Sequence, residues 1–142
     1  MLKDRLFITS FASISALGNS SEQVWQSYLQ QKHFFSTVNY LDEPTYVSRL
    51  NQESKNLIES LKNEQFRYQD LDLSVLYAIF SARETFRKSK TETKDFGINI
   101  GSSRGATSLF EKYHDQYLKE GKTSTLASPT TTLGNISSWV LQ

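Results

Sequence analysis

Cysteine is absent from these 142 residues. That excludes disulfides, thiolate metal sites and a cysteine nucleophile within the chain. Histidine is nearly absent: His33 and His114 lie far apart and in no metal-ligand spacing, so both read as surface residues. No apolar run is long enough for a signal peptide or a membrane span, which predicts a soluble, cytoplasmic protein. An excess of charge is missing too. Sixteen Lys and Arg face fifteen Asp and Glu, leaving no broad footprint for nucleic acid or an anionic membrane. The one basic cluster, Arg83, Arg87, Lys88, Lys90 and Lys94, reads as a solvated helix end plus loop. Repeats and low-complexity tracts are lacking as well.

What is present suits a folded core. Apolar residues make up 37% and aromatics 13%, enough to argue against global disorder, and the length fits one domain or a piece of a larger one. The chain is organised around Phe96 to Thr107. Phe96, Ile98 and Ile100 alternate with Gly97, Asn99 and Gly101, the period of a buried strand. The flat Gly/Asn face predicts close approach by another element. Gly101-Ser102-Ser103-Arg104-Gly105 then breaks the strand, and the period lengthens to that of a helix through Leu109, Phe110, Tyr113 and Tyr117. Strand, glycine-rich turn and helix place loop chemistry at the carboxyl edge of an α/β sheet.

Upstream, Arg5–Phe11 predicts a first strand, followed by a bend and a turn at Gly18-Asn19. Ser20 and Gln23 fit a capping box, opening a helix over Ser21–Gln31 with Val24, Trp25, Tyr28 and Leu29 on one face. Phe34-Phe35 and Thr45-Tyr46-Val47 suggest short edge strands around a turn at Glu43-Pro44, and Glu53–Leu61 a short helix. The longest helix runs from Leu71 to Phe86. It is apolar over more than one stripe, which predicts burial on more than one side, with Asp70 and Asp72 at its amino end. A polar connection, Ser89–Asp95, leads to the organising strand. After the Leu109–Tyr117 helix, Glu120-Gly121-Lys122 reads as a stop, Ser124–Thr132 as a polar loop, and Leu133–Leu141 as a last helix that Thr130, Thr131 or Thr132 could cap. The order of elements predicts α/β. Two strands are few for this length, and the last helical pattern has no stop, so a unit cut short is expected.

Three chemical readings compete for the glycine-rich turn. A phosphate cradle would use free amides at the helix start and Arg104, but the Gly-Lys-Ser/Thr ending and Gly-x-Gly-x-x-Gly are missing. Gly101-Ser102-Ser103-Arg104-Gly105 also matches a nucleophile elbow with Ser103 at its centre, making an α/β ester hydrolase a rival. No histidine follows His114 to complete a triad, and His114 sits about two turns along the next helix. The third reading is structural: glycines permit tight strand-to-helix packing.

Taken together, three segments resemble the amino-terminal part of a β-ketoacyl–acyl-carrier-protein synthase, a condensing enzyme of thiolase-like fold. The first is Phe7 to Asn19 with Val24-Trp25, similar to a β-rich Thr-Gly-x-Gly-x-x-Ser-Pro-x-Gly-Asn pattern before a Trp-bearing helix. The second is Leu71-Asp72 through Ala78 to Ala82-Arg83-Glu84, similar to the family's long Ala-rich helix. The third is Gly97–Gly105 with Ser128-Pro129 and Leu133-Gly134-Asn135. Departures are Ser10 and Ala12 in place of family glycines, Ala16 in place of a proline, and Arg104 where elongating members often carry an apolar residue near the acyl pocket.

The resemblance implies an incomplete amino-terminal half of the layered αβαβα architecture, with residues 1–142 as one synthase amino-terminal domain truncated before the nucleophile. It implies parallel, adjacent strands at Leu6–Phe11 and Phe96–Gly101 under the Leu71–Phe86 helix. The family reaction needs a cysteine at a helix amino end and two histidines that stabilise enolate and oxyanion. None of the three is in this chain. The implied partners are acyl carrier protein, acyl and malonyl thioesters, and a second copy or related subunit; the resemblance implies no metal or organic cofactor. The implied acyl-pocket residues, lining or supporting, are Ser102, Ser103, Arg104, Ser128 and Thr130. A non-catalytic partner similar to chain-length-factor subunits is the alternative within this resemblance. In either case apolar surface is expected to stay uncovered, chiefly on Leu71–Phe86 and Leu133–Leu141.

Overall fold

The structure, a computed structural model, describes residues 5–90 and 95–142. Lys94 of the basic cluster and most of the connection before Asp95 lie outside them. The chain divides into two units. The first comprises Met1–Leu57 with Arg83–Thr91, and the second Ile58–Ala82 with Glu92–Gln142.

In the first unit, residues 5–14 belong to no strand, which corrects the expected strand at 5–11. The Ser10 hydroxyl donates to the carbonyl of Thr85 at 2.9 Å. A strand is stable only when another edge takes up its N–H and C=O groups. With no strand partner among the described residues, Leu6, Phe7 and Ile8 stand 80%, 78% and 88% exposed. The chain then bends where Ser15 and Gly18 exchange backbone hydrogen bonds of 3.0 and 3.1 Å. Gly18 has φ +137°, and a Cβ there would fall 2.6 Å from Cβ of Gln23, so the position requires glycine.

Helix α1, Ser21–Leu29, begins as its capping signature predicts. The Ser20 hydroxyl accepts from the Gln23 amide at 3.2 Å. The return bond is shifted by one residue, because the Gln23 side chain accepts from the amide of Asn19, not of Ser20. The buried Ser27 hydroxyl donates to the Leu17 carbonyl at 2.8 Å, tying the helix back to the bend. Strands β1, Phe35–Tyr40, and β2, Glu43–Ser48, form an antiparallel hairpin with Tyr40 opposite Glu43. The expected turn at Glu43-Pro44 is corrected. Leu41 and Asp42 make it, with φ of 49° and 64°, the two left-handed residues of a type I′ connection. Pro44 sits within β2, tolerable because both strands are edges. Helix α2, Gln52–Glu64, starts at Asn51, whose side-chain oxygen accepts from the Ser54 amide at 2.8 Å. Ser54, with no exposed surface, accepts at its hydroxyl from the Asn19 side chain, 3.1 Å, so the predicted Gly18-Asn19 turn is anchored on α2.

The second unit holds the buried apolar side chains. They come from the latter part of α2 (Ile58, Leu61), a 3-10 turn at Phe66–Tyr68 (Tyr68), the start of α3, Leu73–Ser89 (Val75, Leu76, Ile79, with Leu71 just before it), Ala106, and Ile136. Leu71, Val75, Leu76 and Ile79 form one helical stripe. Leu73 and Phe86 are about half exposed, so α3 has a single fully buried face and the expectation of burial on several sides is corrected. Residues 96–101 form no strand either. Nothing lies within 4 Å of a Cβ built at Gly97 or Gly101, so the expected close approach to that flat face is missing among the described residues.

Helix α4, Thr107–Glu120, ends as predicted at Gly121, left-handed at φ 69°, whose N–H reaches the Tyr117 carbonyl at 2.9 Å. The stretch expected to be a polar loop contains helix α5, Ala127–Thr131. Helix α6, Asn135–Val140, completes the described chain. The architecture is mixed: helices plus a two-stranded sheet. Among the described residues no helix is long and apolar enough to cross a membrane.

Candidate functional site

The geometry at the start of α4 is built by Asp72. This buried residue caps α3: its backbone carbonyl accepts from Val75 and Leu76, and its Oδ1 accepts from the Ser74 amide at 2.9 Å. Its Oδ2 accepts from the Leu109 amide, in the first turn of α4, at 3.2 Å. The Ser74 hydroxyl donates to the Gly105 carbonyl at 3.2 Å, and the Gly105 amide donates to Ser102 Oγ at 2.9 Å. Gly105 is left-handed at φ +65°. Leu133 on the α5–α6 connection brings its Cδ2 to 3.8 Å from where a Cβ at Gly105 would stand. The glycine-rich turn is therefore held from two sides.

This arrangement weighs against the phosphate cradle. An anion at the start of α4 would want free N–H groups, yet the Leu109 amide already serves the Asp72 carboxylate, which would repel a second anion. The nucleophile elbow lacks its strand: among the described residues, 96–101 form no strand, and α4 begins four residues after Ser103. His114 stacks on Phe110 one turn earlier, ring centroids 6.0 Å apart. It lines a hollow of about 220 Å³ between α4 and α5 together with Tyr113, Tyr117, Ser128 and Thr131. Ser103 does not line it.

The five expected pocket residues thus fall into two groups. Ser102, Ser103 and Arg104 are exposed on the turn, where Ser102 Oγ accepts from the Gly105 amide and the Arg104 carbonyl accepts from the Thr107 hydroxyl at 3.4 Å. Ser128 is exposed beside the α4–α5 hollow, whereas Thr130 is buried. Neither Thr130 nor Thr131 caps α6, which corrects that expectation. Their hydroxyls donate one turn back to the carbonyls of Leu126 and Ala127, both at 2.6 Å, and Gly134 starts α6 without a side-chain cap. The Asn135 side-chain amide donates instead to the Thr130 carbonyl. That bond fixes the amide's orientation and leaves its buried Oδ1 with no donor among the described residues. Sequence reasoning named Asp72 as a charge near a helix start and as part of the long-helix resemblance, gave it no partner on α4, and passed over Ser74. The pattern Asp-Leu-Ser announces an N-cap for α3; nothing local announces Leu109, 37 residues away. Among the described residues no group of three or more His, Asp or Glu side chains is placed to hold a metal ion.

No protein-family profile matches the chain. Curated proteins do. A 3-oxoacyl-[acyl-carrier-protein] synthase 2 of Coxiella burnetii is 27% identical over 126 residues, covering 85% of this chain and 30% of its own length. Proteins of the same name are 26% identical over 122 residues in Staphylococcus aureus and 24% over 148 residues in Vibrio cholerae. These alignments cover 82% and 96% of this chain, and 30% and 35% of those proteins. The chain resembles β-ketoacyl–acyl-carrier-protein synthases. It spans about a third of the length of the synthases it matches. The likeness runs through both units, so the capped turn at α4 and the bend before α1 both fall within chain that is similar to synthase.

Proposed function

We propose that these residues are the scaffold portion of a 3-oxoacyl-[acyl-carrier-protein] synthase of thiolase-like α/β fold, residues 1–142 being its amino-terminal domain. The supporting observation is similarity to synthases over four-fifths or more of the chain. The reaction is a decarboxylative Claisen condensation in fatty acid or polyketide assembly. An acyl group rides on an enzyme cysteine, and a malonyl thioester on acyl carrier protein loses carbon dioxide to become an enolate. The enolate carbon bonds to the acyl carbon while the bond to the cysteine sulfur breaks, returning thiolate. This chain has no cysteine, so it is not competent alone. The nucleophile and the two histidines belong to polypeptide outside these residues. The working enzyme is cytoplasmic and pairs with a second copy or a related subunit.

In this reading Ser102, Ser103 and Arg104 face the acyl pocket, with Ser128 and Thr130 at or behind its wall. Thr130, whose hydroxyl serves the Leu126 carbonyl, supports rather than contacts. An unpaired guanidinium beside an aliphatic tail is costly, so Arg104 favours short or polar acyl groups over long alkyl chains. Incubation of the purified chain with acyl- and malonyl-carrier protein, followed by intact mass measurement, is the test. The chain should carry no acyl adduct. An adduct that disappears in Ser103→Ala would overturn the reading in favour of a serine hydrolase. In the complete gene, a cysteine and two later histidines are expected downstream. A complete protein without that cysteine would be a non-catalytic partner of the chain-length-factor kind.

A further inference from the structure

We propose that Asp72 is a positioning residue, a single carboxylate that caps two helices at once and thereby sets the conformation of residues 101–106. A helix start leaves several amides without partners, and the residue at the cap normally supplies an acceptor. For α4 that residue is Ala106, which has none. The acceptor comes from Asp72, whose second oxygen already serves α3. Both helix dipoles present positive ends to this one buried carboxylate, and each oxygen has its own amide donor.

The turn follows from the clip. With α3 and α4 pinned to the same side chain, Ser74 meets the Gly105 carbonyl and Gly105 meets Ser102. The relay thus runs from Asp72 through Ser74 and Gly105 to Ser102, the residue beside Ser103 and Arg104. No simple replacement reproduces it. Asparagine offers one acceptor oxygen and would turn an N–H toward one of the two amides, and serine can serve only one helix. That the positioned turn meets substrate rests on the function proposed above. The clip itself rests on these distances alone.

The experiment compares the full-length protein with its Asp72→Ser and Asp72→Asn variants by hydrogen exchange and by steady-state kinetics. In Asp72→Ser the amides at 74–76 should keep their protection. Those at 102–110 should exchange about 3- to 30-fold faster, the range expected for one lost cap. KM for the acyl thioester should rise and lose its dependence on acyl length, while kcat changes less. Unchanged exchange at Leu109 overturns the clip. Faster exchange with an unaltered KM profile overturns the positioning role. Absence of condensing activity in the unmodified protein overturns the proposed function and leaves the exchange result to decide the clip. Should the variants fail to fold, the unmodified protein still decides. A through-bond coupling between the Leu109 amide nitrogen and the Asp72 carboxyl carbon is expected, and its absence in an otherwise assigned spectrum overturns the proposal.

Discussion

Replacing Leu6, Phe7 and Ile8 together by serine distinguishes a buried first strand from the unpaired segment observed. Were these side chains buried, each would forfeit about 1.5–3 kcal/mol, together much of a domain's stability of roughly 5–15 kcal/mol. At 80%, 78% and 88% exposure they have little burial to lose, and the triple variant should unfold in urea within about 1 kcal/mol of the unmodified chain. Leu76→Ala supplies the contrast, since Leu76 has no exposed surface and its truncation should cost about 2–5 kcal/mol. The same surface governs association. Large apolar side chains stand exposed at Leu6, Phe7, Ile8 and Phe11, at Leu73 and Phe86 of α3, and at Leu133 and Leu141, whereas Leu71, Val75, Leu76 and Ile79 are covered. The unmodified chain should self-associate in sedimentation experiments and bind a hydrophobic dye, and the triple variant should do less of both. Loss of a cooperative transition in the triple variant, with Leu76→Ala retaining one, would refute this reasoning.

Gly18→Ala should destabilise the chain by more than about 1 kcal/mol, because φ +137° is strained for alanine and the new Cβ meets Gln23; an unchanged urea midpoint would contradict it. The Arg87 guanidinium, 2.6 Å from Glu84 and hydrogen-bonded to it, holds the Glu84 carboxyl below its ordinary value. A carboxyl whose folded value lies below its unfolded value stabilises the fold at higher pH and loses that contribution as pH falls through the folded value. Glu84→Gln should therefore lower stability slightly near neutrality and have less effect below about pH 3, which flattens the decline between about pH 5 and 3.

Much of the local structure was legible in the sequence because its causes are local. Ser20 and Gln23 announce the start of α1, Gly121 the end of α4, and the apolar residues of Leu71–Phe86 a long helix, though not its single buried face. Those signals act through neighbours within one turn of helix, and the folded chain reproduces them. The type I′ turn at Leu41-Asp42 escaped notice because neither residue is a glycine or an asparagine, the usual marks of two successive left-handed positions. The order of motifs from Phe7 to Asn135 also carried the likeness to synthases, which the comparisons with curated proteins repeat. What tertiary structure decided is every feature that needs a distant partner. Alternation at residues 6–11 and 96–101 states a capacity to pair, but a ladder requires a second edge, and none of the described residues supplies one. Ser102 to Arg104 spell a turn in the sequence; only the folded chain gives it a shape, by bringing one carboxylate of Asp72 to the amides of two helices that begin 34 residues apart.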